Sequence, residues 1–234
     1  MRKKIGIIGG LSPESTASYY LHITRTYVER FGSDSYPEII IYSVDLDRYH
    51  RWRDQARWDL IAEDLIAIAD TLLLAGADVG LIATNTMHKV FAEVQAGTTL
   101  PLLHILDPTV AAIRRAGLRK VGLLGTRFTM SESFYTGRLR SRGIDALLPS
   151  PAEQDTIHDI IVQELVRGTF SQASRERYLA IIAGLQAAGA EGIVLGCTEI
   201  PLLIRQEHCA LPLFDTATLH ADAALDAALS PAGD

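Results

Sequence analysis

The chain has 234 residues, 48% of them hydrophobic, enough for one large domain or two of about 100 residues each. Its formal net charge is -6, from 22 basic and 28 acidic residues, and this argues against a nucleic-acid partner, which calls for a basic excess. No uncharged apolar run reaches the roughly 18 residues that read as a membrane span, and two cysteines cannot build a disulfide framework, so a reducing cytoplasm is the simplest expectation.

The N-terminal "MRKKIGIIGG" passes straight from a basic tip into a strand-like run. It has neither a long apolar region nor a small-residue cleavage site, and reads as a mature start rather than a signal peptide. Strand-like runs follow over 4–10, 38–44, 79–85, 100–105, 120–126, 145–149, 192–198 and 211–216. They are apolar without strict alternation, which suits parallel strands covered on both faces. Helix signals lie between them. Ser12 before Pro13 is a favoured N-cap and first-turn pair. "TMSE" (129–132) has the spacing of a capping box ahead of a helix in "SFYTGRLRSRG". Asp107-Pro108 opens a helix to about residue 116, and amphipathic helices are expected over 59–75 and 174–188. The alternation is that of βαβ units, hence an α/β fold with mainly parallel sheets.

The chain also echoes itself. "KKIGIIGG" resembles "RKVGLLGT", "AGADVGLIATNT" resembles "AGAEGIVLGCTE", and "TTLPLLHI" resembles "CALPLFDT". The offsets are 122 − 6 = 116 for Gly6 and Gly122, 189 − 76 = 113 for Gly76 and Gly189, and 212 − 101 = 111 for Pro101 and Pro212. Offsets this similar predict two related, pseudo-symmetric αβα domains, one formed by 1–104 plus 215–234 and the other by 105–214. Matching strand ends would then face each other across an interdomain cleft.

Ligands of open α/β sheets sit beyond the carboxyl ends of the strands. Four such ends carry small polar residues: "GGLSPEST" (9–16), "ATNTMH" (83–88), "GTRFTM" (125–130) and "GCTEI" (196–200). Each precedes an expected helix start, where unpaired N–H groups and the helix dipole favour a small carboxylate or phosphate. "GIIGG" is not the dinucleotide pattern GxGxxG, and there is no Walker lysine motif. Cys197, between Gly196 and Thr198, is expected at a helix N-terminus that lowers its pKa toward the nucleophilic, basic thiolate; a buried structural cysteine is the alternative. Cys209 beside His208 lacks a paired ligand spacing, so no metal site is expected there.

Taken together, "IGIIGGLSPEST", "TNTMHK", "PLLHI", "GLLGTRFTM", "ASRERYLAII", "GAEGIVLGCTEIPLL" and "PLFDT" resemble the aspartate/glutamate racemase family, from about residue 4 to about residue 225. The resemblance implies a two-domain α/β enzyme that needs no pyridoxal phosphate or other cofactor. It also implies a homodimer, and a site between the domains with a thiol on each face of the substrate's α-carbon. Racemisation needs one group to remove the α-proton and another to return it to the opposite face. Donors around the α-carboxylate would stabilise the charge that develops there.

The chain departs from the family pattern at one thiol. The usual first motif reads "CTN", and here it reads "ATN", with Ala83. Aligning the halves without a gap from Gly76 and Gly189 sets Thr84 opposite Cys197; aligning "TN" with "TE" sets Ala83 there instead. Cys197 is therefore the expected proton-transferring thiol. Thr84 is either the second proton carrier, giving lopsided activity, or a hydrogen-bond donor to the substrate. The resemblance further implies that Leu11 and Ser12 form the first substrate loop and that Asn85, Thr86, Thr126 and Thr198 bind the α-carboxylate or amino group. Glu199 either accepts from the substrate ammonium or, as we slightly prefer, caps its own helix. A side-chain carboxylate calls for arginine. Of Arg48, Arg51, Arg53 and Arg167, Arg53 and Arg167 are the candidates, with at least one of the first three a solvated surface charge. His88, Lys89 and His220 read as packing or surface residues. The expected substrate is a small dicarboxylic amino acid. The competing readings are a single-cysteine decarboxylase or diacid isomerase of the same superfamily, and a non-catalytic binding protein for acidic amino acids.

Overall fold

All eight apolar runs form strands, trimmed at their ends: β1 (Ile5–Gly9), β2 (Ile39–Ser43), β3 (Val79–Ile82), β4 (Leu102–Leu103), β5 (Lys120–Gly125), β6 (Asp145–Leu147), β7 (Gly192–Gly196) and β8 (Leu213–Asp215). The structure, a computed structural model, describes residues 2–32 and 35–230. The strands make two four-stranded sheets of the same topology, β2-β1-β3-β4 and β6-β5-β7-β8, with every pairing parallel. The chain divides into two compact units, Met1–Ile105 with His220–Asp234, and Leu106–Leu219.

In the first unit the helices are α1 (Pro13–Phe31), α2 (Leu46–Asp54), α3 (Trp58–Leu74) and α4 (Phe91–Gly97). β1 and β3 are buried along their whole length, as parallel strands covered on both faces must be. Ile61, Leu65, Ile68 and Leu72 of α3 share a core cluster with Ile8 and Ile82. Each such side chain, fully buried, contributes roughly 1.5–3 kcal/mol. The start of α1 is as expected: Ser12 is extended and its hydroxyl accepts the Ser15 N–H at 3.2 Å, with Pro13 in the first turn. Gly10 has a φ of 79°, and a Cβ there would meet the backbone of Val44 at 2.5 Å, so only glycine can turn the chain from β1 into this loop.

The second unit carries α5 (Leu106–Arg115), α6 (Arg127–Ser131), α7 (Ser133–Ser141), α8 (Pro151–Gln163), α9 (Gln172–Ala187) and α10 (Ile200–Leu203). A final helix, α11, spans Thr216–Leu229. The expected capping box over 129–132 is not formed. Thr129 is buried inside α6, its hydroxyl lies 3.2 Å from that of Thr126, and Glu132 precedes α7 without a side-chain cap. A genuine capping box closes α8, where Ser150 and Glu153 satisfy each other.

The strand registers bear on the sequence echo. Gly6 pairs with Gly80 across β1 and β3, and Gly122 pairs with Ile193 across β5 and β7. A Cβ on Gly6 would meet Leu72, and one on Gly122 would meet Leu185, two leucines 113 residues apart. A Cβ on Gly9 would strike Thr16, and one on Gly125 would strike Thr129. With Gly6 matched to Gly122, the ladders match Gly80 to Ile193 and Ile82 to Leu195; counting on residue by residue past β3 sets Ala83 against Gly196 and Thr84 against Cys197.

Candidate functional site

In the first unit two strand ends are tied to each other. The Ser15 hydroxyl donates to the Ala83 carbonyl at 2.9 Å, and the Ala83 N–H donates to the Ile8 carbonyl at 2.9 Å. Thr16 locks the neighbouring loop: its hydroxyl accepts the Gly10 N–H and donates to the Ser12 carbonyl. Leu11 and Ser12 are both buried. After β3 the chain turns tightly, with the Thr84 N–H on the Ile82 carbonyl at 2.8 Å, and then enters a 3-10 turn over Thr86–Val90. Ala83 is fully buried, Thr84 and Thr86 are partly exposed, and Asn85 is buried. Counted on from the ladders, Thr84 rather than Ala83 matches Cys197, although in burial Cys197 is like Ala83.

Thr84 is held from behind by His88. The ring Nδ1 lies 2.8 Å from the Thr84 carbonyl, and Nε2 accepts the Ile105 N–H at 3.1 Å.

In the second unit Gly125 and Gly196 are ladder partners, so Thr126 and Cys197 follow each other's strands directly. Cys197 is 7% exposed and packs in the core cluster of this unit. Its Sγ donates to Oε2 of Glu199 at 3.0 Å, and the same oxygen accepts the Thr198 hydroxyl at 2.8 Å. Glu199 is itself buried.

The expected lowering of the thiol pKa is therefore overturned. Burial pushes the Cys197 thiol well above its ordinary range, and the Glu199 carboxylate pushes further; the N–H groups of Glu199 and Thr198 pull the other way and lose. The helix after it, α10, is four residues long, too short for a dipole that offsets burial. Glu199 stands at the N-cap of that helix; it makes no side-chain cap bond there, and its carboxylate accepts from Cys197 and Thr198. Burial likewise raises the phenols of Tyr135 and Tyr178.

The arginines differ. Arg48 pairs with Asp64 at 2.8 Å and stacks over Trp52, which makes it part of the α2–α3 packing. Arg51 pairs with Asp47 on the exposed face of α2 and is the solvated one. Arg53, also on α2, is less exposed and pairs with the adjacent Asp54 at 2.8 Å. Arg167 is exposed in a short 3-10 turn that ends at Gly168. Among the described residues no group of three or more His, Cys, Asp and Glu side chains is placed to hold a metal ion. No helix among them is long and apolar enough to cross a membrane.

Glu199 and His88 are the site partners whose roles sequence reasoning missed. The four-residue step from Thr84 to His88 is the spacing of one helical turn, a signal that was available. The two-residue step from Cys197 to Glu199 runs through irregular backbone and carries no periodic signal.

Residues 8–224 match the family described as Asp/Glu/hydantoin racemase. The chain is similar over its length to a Yersinia pestis protein provisionally described as an Asp/Glu racemase, with 42% identity, 97% of this chain and 100% of that one covered, and a TM-score of 0.92. It is similar to an aspartate racemase homologue from Pyrococcus horikoshii, with 36% identity, 98% and 100% covered, and a TM-score of 0.88. It is also 24% identical to the broad specificity amino-acid racemase RacX of Bacillus subtilis, over 91% of this chain and 92% of that one.

Proposed function

The chain belongs to the Asp/Glu/hydantoin racemase family, and from that premise we propose that it is a cofactor-independent racemase of acidic amino acids with a strong stereochemical bias. Such an enzyme is an isomerase that moves a proton at Cα without pyridoxal phosphate. The observation that carries the reading is the thiol of Cys197 donating to Glu199 at the end of β7.

The resting thiol is protonated, so it needs an acceptor before it can act as a base. Glu199 supplies one. As Sγ takes the α-proton, its own proton passes to Oε2: a C–H and an S–H bond break, an S–H and an O–H bond form, and sulfur carries no charge at the end. The carbanion is reprotonated on its other face by the Thr84 hydroxyl, which recovers its proton from water, or by water itself; the hydroxide left behind takes the proton stored on Oε2 of Glu199 and restores the carboxylate. A hydroxyl is a weak acid and a very poor base without activation, so the opposite direction is much slower. Asn85, Thr86, Thr126 and Thr198, with the backbone at Leu11 and Ser12, hold the α-carboxylate and amino group. They stabilise the charge that spreads onto the carboxylate. Arg53 and Arg167 take the side-chain carboxylate. On the same reading the chain works in the cytoplasm, where its two unpaired cysteines stay reduced, and as a homodimer.

The test is solvent deuterium incorporation at Cα of L- and D-aspartate and L- and D-glutamate, followed by proton NMR. Exchange is expected, and faster from one enantiomer than from its mirror image. Absence of exchange in all four would remove the proton-transfer reading.

A further inference from the structure

We infer that His88 is a positioning residue that fixes Thr84 by tying its peptide carbonyl to the segment after β4; what Thr84 then does rests on the function proposed above. The Ile105 N–H can only donate and the Thr84 carbonyl can only accept. Nε2 therefore accepts and Nδ1 carries the proton. Both demands select the same neutral tautomer, and both ring nitrogens are committed. The Thr84 N–H is held as well, on the Ile82 carbonyl, so neither peptide group flanking its side chain is free to turn.

The ring itself has little freedom. His88 is 3% exposed and stacks on Phe91 with the planes 5° apart, while the edges of His104 and His220 close the other sides at 4.7 and 5.8 Å. His220 is fully buried and fixed in the same manner, with Nε2 on the Leu103 carbonyl at 2.9 Å and Nδ1 on the Tyr19 hydroxyl at 3.0 Å. A neutral, doubly bonded imidazole at the core of an aromatic cluster is a rigid strut. It fixes the backbone of Thr84 and so the Cα–Cβ direction from which its hydroxyl acts. Small displacements of a reacting group are costly in rate, which gives the strut its functional weight.

Two substitutions separate the halves of the strut. In His88→Asn the amide nitrogen takes the place of Nδ1 and keeps the bond to Thr84; in His88→Gln the amide takes the place of Nε2 and keeps only the bond to Ile105. The inference expects His88→Asn to retain kcat for Cα exchange within about threefold, and His88→Gln to lose about tenfold or more with KM little changed. A residue that merely fills space would not rank Asn above Gln, so equal losses, or the reverse order, would overturn the inference. Nitrogen-15 shifts of the wild-type ring give an independent reading: a proton on Nε2 instead of Nδ1 also overturns it. If the wild-type protein exchanges none of the four acids, the racemase reading fails by itself. The strut is then decided by amide hydrogen exchange over residues 83–87, expected to speed up in His88→Gln relative to His88→Asn; equal protection counts against it.

Discussion

The thiol of Cys197 donates to the carboxylate of Glu199 across 3.0 Å, both residues are buried, and the same carboxylate accepts the hydroxyl of Thr198. On the function proposed above, the pair divides a base into two parts, sulfur to reach the α-carbon and oxygen to store the proton, and neither part works alone. A buried thiol with a raised pKa is a poor base at neutral pH, and Glu199 does not have to touch the substrate.

Glu199→Gln keeps the shape and removes the proton store. Cα exchange in deuterated buffer is expected to fall by about 10²–10⁴-fold, the usual range for a lost acid–base group, while KM changes little. Retention of more than a tenth of the wild-type rate would show that sulfur passes its proton elsewhere.

The raised thiol also couples stability to pH. The unfolded chain releases the Cys197 proton near the ordinary thiol value of about 8.5, and the folded chain holds it above that. The folded state therefore binds more protons over that interval, and this contribution is complete below about 8.5 and fades as pH rises toward the folded value. Cys197→Ala lacks it. The Tm advantage of wild type over Cys197→Ala is expected to shrink between pH 7.5 and pH 9.5, by calorimetry. An advantage that grows would reverse the sign of the shift.

On the proposed function, counting on from the registers puts the second proton carrier at position 84. Thr84→Cys should raise exchange from the slow enantiomer by at least about tenfold, because a thiol replaces a very poor acid and base. Ala83→Cys should bring no such gain and should lower stability, since Ala83 is fully buried and its backbone is bonded to Ile8 and Ser15. Circular dichroism melting and chiral chromatography read both variants; a gain confined to position 83 would select the other alignment.

Two arginines on α2 separate a substrate role from a surface role. Arg53→Ala is expected to raise KM for the acidic amino acid by about tenfold or more, as losing a charge-assisted hydrogen bond would. Arg51→Ala removes an exposed pair with Asp47 and should leave KM within about twofold. Equal effects would mean that the side-chain carboxylate is held elsewhere.

What the sequence made plain follows from where each signal resides. β1, β3, β5 and β7 are apolar runs buried on both faces, and burial writes itself into composition. The Ser12-Pro13 start of α1 is local chemistry, readable at one place in the chain. The box over "TMSE" has the right letters but fails, because Thr129 is needed inside α6 against Gly125, a tertiary demand that outranks the local pattern. The direction of the Cys197 shift was hidden for a related reason. A helix start was visible, but its four-residue length and the depth of burial were not. His88 looked like packing because aromatic contact and hydrogen bonding to Thr84 leave the same trace in a sequence.

The matched sheets also keep a record of length. Between Gly6 and Gly80 the chain travels 74 residues, and between Gly122 and Ile193 it travels 71, yet both journeys return to the same rung of the ladder. The three extra residues were absorbed in the crossover segments and left no slip in the strands, where a shift of one position would turn every side chain to the opposite face. An inserted residue is therefore expected to be tolerated in the crossovers and not within β3 or β7.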